Sequence, residues 1–148
     1  MSRLFSLAVL VALVATLLVP TGASAGSPAL KMLKRINKVR AKHGLRKVHL
    51  SRSLQHSARR YSRHQMRSGY FGHASRIHAS GRYRTLGEIL EMHRGRKARI
   101  GLAVYNWMHS GSHRSIVLSS AFRWAGAGRA TGRFHGRKMT IWTMQFGR

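Results

Sequence analysis

Leu30, Leu33, Ile36 and Val39–Arg40 recur every three or four positions, the spacing that lines one face of a helix. Ser27 and Pro28 supply its N-cap and first-turn residue, and Gly44 closes it behind a basic last turn. A second helix starts from Ser51 or Ser53. Its inner face is Leu54, Ala58, Tyr61, Ser62 and Met66, its outer face is Arg52, Arg59, Arg60, Arg63 and Arg67, and Gly69 stops it. A loop runs from Gly69 to Ser75 and on through the polar stretch Arg76–Arg84. Thr85–Met92 reads as a short strand, and Ile100, Ala103, Val104, Trp107 and Met108 as a third helix ending at Ser110–Gly111. His113–Leu118 adds one or two helical turns. The period then changes: Phe122, Trp124, Gly126 and Gly128 alternate as in a strand approached closely by other backbone. Gly132–Gly136 is a turn, and Met139–Phe146 is a strand rich in β-formers. Helices first and a hairpin last predict a layered α+β domain.

The N-terminus bears on where that domain works. Arg3, an apolar run from Leu4 to Val19 and the small-residue end Ala23-x-Ala25 are the three parts of a secretory signal peptide. The run is shorter than the ~20 residues that span a bilayer. Residues 1–25 are therefore expected to be removed, leaving a secreted, extracytoplasmic domain over 26–148 with no transmembrane segment. The chain is cysteine-free, and an exported domain without disulfides points to a bacterial source.

Of the 148 residues, 28 are Lys or Arg and only two are acidic, Glu88 and Glu91, for a formal charge of +26. These numbers exclude a disulfide scaffold, a cysteine-ligated zinc or iron–sulfur site and an acidic two-metal site. They also argue against a glycosidase, whose two carboxylates face each other across a cleft. With 43% hydrophobic residues and twelve Phe, Trp and Tyr, the charge clothes a folded surface and is not a basic tail.

In a chain so poor in carboxylates, Glu88 beside Gly87, after a histidine-bearing loop, invites a role: it orients an imidazole, completes a metal shell, or pairs with an arginine. For Glu91 the arginine salt bridge is the expectation. Gly-x-Ser-x-Gly, His-Glu-x-x-His and Walker motifs are all missing. Ser75 near His73, with Glu88, has the outline of a Ser–His–acid triad, although a loop hydrogen bond accounts for the serine equally. Trp107, Trp124 and Trp142 fall at core spacing.

Six pieces in order resemble the CAP superfamily (SCP-like domains of cysteine-rich secretory, antigen 5 and pathogenesis-related proteins), in its bacterial branch. They are Asn37-Lys-Val-Arg40 with His43-Gly-Leu45; Leu54-x-x-x-Ala58 with Met66; Gly69-Tyr-Phe-Gly-His73-Ala-Ser75; Gly87-Glu88-Ile89; Trp107-Met-His-Ser110-Gly-Ser-His113-Arg; and Trp124-Ala-Gly-Ala-Gly128 with Trp142-Thr-Met-Gln-Phe146-Gly. The resemblance implies a three-layer α-β-α sandwich around a central antiparallel sheet. It further implies a cleft with two histidines and two acids, sometimes holding a divalent metal. By position these are His73, Glu88 and His113, the candidate catalytic residues and the candidate ligands of a metal such as zinc. Ser110 stands where the second acid is usual, Ile89 where Asn is usual and Ser112 where Gly is common; a short stretch between His73 and Glu88 predicts a smaller cleft. His78, His93 and His109 are candidate neighbours of this cleft.

The basic residues divide into 21 Arg and 7 Lys, and guanidinium favours bidentate contact with phosphate and carboxylate. Outside the cytoplasm the matching polyanions are anionic envelope lipids, phosphate-bearing wall polymers and extracellular nucleic acid. The expected function is binding an apolar or anionic envelope ligand at the His/Glu cleft, lipid binding being implied for some members of the family. The alternatives are a metal-dependent or Ser/His hydrolase of wall or protein substrates, and a cationic adhesion or antimicrobial protein.

Overall fold

In the computed structural model, which describes residues 26–81 and 83–148, Ser27 Oγ accepts from the Leu30 N–H at 3.3 Å and starts α1, Pro28–Lys42. The leader expected over residues 1–25 lies outside the described residues. α1 turns its apolar stripe of Met32, Leu33 and Ile36 inward. Arg40, at the same helical spacing, is fully buried with them, because its guanidinium donates to the carbonyls of Arg46, Val117 and Ser119 at 2.7–3.0 Å. Burial and the nearby Arg123 lower its pKa. Asn37 bonds both the N–H and the carbonyl of Val48 at 2.9 Å. The Asn-x-x-Arg pair is thus a structural brace.

A strand that the hydrophobic pattern does not announce follows: β1, His49–Leu50, parallel to the start of β3. Two residues carry no readable period. Ser51 caps α2, Arg52–Ser68, which stops at Gly69 in the left-handed region (φ 68°). After the loop come β2, Leu86–Arg94, and α3, Ile100–Met108. The helical break falls at His109–Ser110, so Gly111 and Ser112 belong to α4, Gly111–Val117. β3, Trp124–Phe134, and β4, Arg137–Gly147, form a hairpin whose two-residue turn is His135–Gly136, both with positive φ. The turn is tighter than the expected Gly132–Gly136 because the alternating pattern persists through it.

The sheet order is β1-β3-β4-β2, antiparallel except for β1. The sandwich around a central antiparallel sheet is as expected, and the two-residue β1 adds one parallel pairing at its edge. α1, α3 and α4 cover one face, where Trp107, Trp142, Met144 and Phe146 join Met32 and Ile36 in the main core. α2 covers the other. There Gly126 and Gly128 let its backbone lie directly on β3: a Cβ at either position would overlap the backbone of residues 54–55 or 58–59. The α2 layer is consequently thin and partly polar, with Ser57, Ser62, Gln65, Glu88, Thr143 and Gln145 all buried. Trp124 departs from its core expectation. It is 44% exposed at the start of β3, beside the two-residue β1, with its ring 5.7 Å from that of His49.

Candidate functional site

Glu88 and Gln145 are register partners on β2 and β4, on the face covered by α2. The carboxylate is 5% exposed and accepts three hydrogen bonds. His73 Nδ1 lies 3.2 Å and the Ala74 N–H 3.0 Å from Oε1, and Gln145 Nε2 donates to Oε2 at 2.8 Å. Glu88 thereby clamps the loop after α2. Two further bonds hold the loop at Gly72, whose carbonyl accepts from Tyr61 Oη at 2.7 Å and Gln65 Nε2 at 2.9 Å. Burial first, then the Glu88 charge and Tyr70, push the Tyr61 pKa up to about 12, so the phenol stays a donor.

Held through Nδ1, the His73 ring is 59% exposed, and its Nε2 has no hydrogen-bond partner among the described residues. His113, from α4, meets it edge-on with ring centroids 6.2 Å apart. Burial, then the charge of His73, lowers the His113 pKa. His73 thus touches both Glu88, on β2, and His113, on α4, so the three side chains come from three separate elements.

His73 also forms part of the wall of a cleft of about 650 Å³ between α2 and the loop that follows it. Arg60, Arg67 and Arg76 line it with His64, His78, Tyr61 and Tyr70; Gln145 is part of its lining, and no carboxylate is. Gln145 Oε1 is buried without a hydrogen-bond partner. Of the candidate neighbours only His78 belongs here. His109 stacks on Tyr105 and faces the Tyr105 carbonyl, and His93 lies across the sheet. Arg60 and Arg67 were legible as part of the polar face of α2, but only the fold of the 70–78 loop over that face makes them a wall. Ser75 lines the cleft yet makes no hydrogen bond to His73, so the triad outline lacks its nucleophile–base contact.

The implied metal is not matched by these donors. Both Glu88 oxygens are engaged by protein donors, His73 Nδ1 faces the carboxylate, and Ser110, at the fourth position, bonds Ser112 at 3.3 Å. Among the described residues no group of three or more His, Asp or Glu side chains could hold a metal ion.

Among the described residues Glu91 pairs with a histidine and not, as expected, with an arginine. Three residues from Glu88 in a strand, it points to the opposite face, where its Oε2 lies 2.9 Å from His93 Nδ1 and its Oε1 accepts from Asn106 Nδ2 at 3.3 Å. His93 Nε2 lies 2.9 Å from the Lys97 carbonyl. Carboxylate and imidazole are 3% and 5% exposed.

No curated protein sequence matches the chain. Among solved structures it is similar to an outer surface protein from Borrelia burgdorferi, with 17% identity and a TM-score of 0.66 over 80% of this chain and 90% of that one. It is similar too to an extracellular protein containing a SCP domain from Bacillus anthracis, with 18% identity and a TM-score of 0.67 over 82% of this chain; it spans 40% of that longer protein. A cysteine-rich secretory protein from Staphylococcus aureus matches at 17% identity and a TM-score of 0.55, over 81% of this chain and 38% of that one. Among the described residues no helix is long and apolar enough to cross a membrane. The sequence profile of the cysteine-rich secretory protein family, CAP, matches residues 33–146, and the chain belongs to that family.

Proposed function

We propose that this is a secreted binding protein whose cleft takes an anionic, phosphate-bearing ligand of the cell envelope. One observation carries the reading: a cleft of about 650 Å³ walled by three arginines and three histidines with no carboxylate among its lining residues. Guanidinium meets phosphate through paired, charge-assisted hydrogen bonds, and a half-enclosed wall desolvates them more than an open surface does. His73 adds a ring whose Nδ1 is fixed by Glu88 and whose Nε2 is free to meet the ligand. Export agrees with the leader expected over residues 1–25, and the envelope is where such anions are met.

The test is calorimetry of the full chain with glycerol phosphate and with phosphatidylglycerol vesicles, which separates a free phosphate ester from a lipid headgroup. Arg60→Gln combined with Arg76→Gln is expected to weaken binding about tenfold, roughly 1.4 kcal/mol. Lys34→Gln with Lys38→Gln, on the solvent side of α1, removes the same charge and is expected to leave affinity within about twofold. Equal losses from both pairs would reject the cleft and favour adhesion by overall charge. Hydrolysis is the second reading, favoured by the His73–Glu88 pair, the base half of such a site. It requires turnover of an ester substrate that His73→Ala abolishes.

A further inference from the structure

β3 is closed along one side and open along most of the other. β4 pairs with it from Trp124 to Phe134, whereas β1 pairs with Trp124 and Ala125 alone. Two observations say which residues face the open side. The carbonyls of Arg123 and Ala125 accept from the N–H groups of His49 and Ser51 at 2.8 and 2.9 Å, so odd-numbered residues turn their backbone groups away from β4. The two-residue turn His135–Gly136 makes Phe134 and Arg137 a hydrogen-bonded pair, so even-numbered residues face β4. Past the end of β1, the N–H and C=O groups of Arg129, Thr131 and Arg133 therefore point outward, and among the described residues no backbone group bonds them. Thr131 and Arg133 are exposed and Arg129 is half-buried. The backbone of α2 lies directly on Gly126 and Gly128, but a Cβ at Gly132 would meet only the Met66 side chain. The gap is a second cleft of about 330 Å³ along this edge, lined by Arg63, Met66 and Arg67 of α2 and by Arg129, Ala130 and Thr131 of β3.

An open strand edge offers donors and acceptors in alternation, repeating every two residues, about 6.8 Å. A phosphate polymer carries acceptors alone and leaves the outward carbonyls unmet, whereas another extended polypeptide meets both. The edge therefore selects a peptide backbone, and the charge around it selects the sequence. Side chains of an added strand project alternately to the two faces of the sheet. On the α2 face they stand beside Arg63 and Arg67. On the other they stand beside Arg129, whose guanidinium lies over the Trp142 ring, and Arg133, two residues along. No carboxylate lines the cleft, and Glu88 and Glu91 are buried on β2. Like charges set opposite each other across strands are destabilising, so a second copy of this chain, at +26, is repelled from the edge, and acidic side chains are favoured on both faces. Apart from the main cleft and its ligand, we propose that β3 is a docking edge: an extended acidic segment of a partner protein adds to it as a strand. The segment pairs with Arg129, Thr131 and Arg133 and sets its carboxylates against Arg63, Arg67, Arg129 and Arg133.

The probe is a short peptide repeating Glu-Glu-Thr-Thr, acidic on both faces when extended. It is titrated into the full chain beside the same peptide N-methylated at every central amide, which keeps the charge and loses the donors, and beside polyphosphate of equal charge. The unmethylated peptide is expected to bind at least about tenfold tighter than the methylated one, the difference that a few strand hydrogen bonds make. It is also expected to slow amide exchange of Arg129, Thr131 and Arg133 about tenfold, while Ala130 and Gly132, whose amides already face β4, keep their rates. Thr131→Pro removes one outward N–H and leaves the β4 ladder intact, at an edge where proline is tolerated. That variant is expected to bind the peptide about tenfold more weakly and glycerol phosphate within about twofold of the parent, since Thr131 lies outside the main cleft. If it does not fold, the exchange pattern of the unaltered chain decides. Equal binding of the two peptides, protection that falls alike on odd and even positions, or the same protection from polyphosphate overturns the proposal. So does protection of these amides on raising the concentration of the chain alone, which would make the edge a contact between copies.

Discussion

β2 carries the carboxylates of two histidine–glutamate pairs that use the same chemistry for opposite ends. Glu88 and Glu91 are three residues apart and so point to opposite faces of the sheet. On one face the carboxylate is buried and its imidazole half open, part of the lining of a basic cleft. On the other both groups are buried and both ring nitrogens face oxygens, Glu91 Oε2 and the Lys97 carbonyl. That second pair ties β2 to the turn before α3, where Thr140 Oγ1 also donates to the Gly95 carbonyl at 2.7 Å, and to α3 itself through Asn106. The difference is one of burial: a sealed imidazole spends both nitrogens on the fold, whereas an open one keeps a nitrogen for a ligand.

The largest expected effect comes from breaking the sealed pair. His93→Ala leaves a buried carboxylate with one remaining donor and is expected to cost about 3 kcal/mol in chemical denaturation. A loss below about 1 kcal/mol would mean that the pair is not a structural tie. Next is Glu88→Gln, which puts an amide N–H₂ where donors already converge and is expected to cost about 2 kcal/mol. It should also loosen residues 72–74, seen as faster amide exchange of Ala74; unchanged exchange would show that the clamp is elsewhere. His73→Ala reverses the pattern: stability is expected within about 0.5 kcal/mol of the parent, since the ring is mostly exposed, while glycerol phosphate affinity falls about fivefold. A variant that unfolds easily but binds normally would make the two pairs alike.

The smallest effect is on pH dependence. The His113 pKa is lowered in the fold from its ordinary 6.5, by burial and then by His73. The unfolded chain therefore takes up a proton that the folded one resists. Stability is intact above pH 6.5, falls as the pH drops below it and levels once His113 titrates in the fold. His113→Gln is expected to flatten that segment of a melting-temperature profile slightly, and an unaltered slope would assign it to other groups.

Periodic elements were legible in the sequence because burial writes a period into them: Leu33 and Ile36 in α1, Leu54 and Ala58 in α2, the alternation through β4. The glycines of β3 correctly announced a close backbone approach, which α2 supplies. Elements set by tertiary contact were not legible. β1 is too short to show a pattern, the three carbonyls that bury the Arg40 guanidinium come from segments outside its helix, and Trp124 looked like core. At the site, motif order placed His73, Glu88 and His113 in one neighbourhood. The arginine wall did not show, because Arg60 and Arg67 read as an ordinary solvated helix face until the 70–78 loop is folded over them. Glu91 misled for a related reason: with arginines everywhere in the sequence, the partner that the fold supplies is His93, two residues along the same strand.

The most direct measurement is a titration of the full chain with glycerol phosphate, followed through the histidine ring ¹⁵N resonances. An open His73 and a sealed His93 predict a saturable shift of the His73 Nε2 resonance while both nitrogens of His93 stay in place. A shift of His93 equal to that of His73, or no shift of His73 at saturating ligand, would contradict that division of roles.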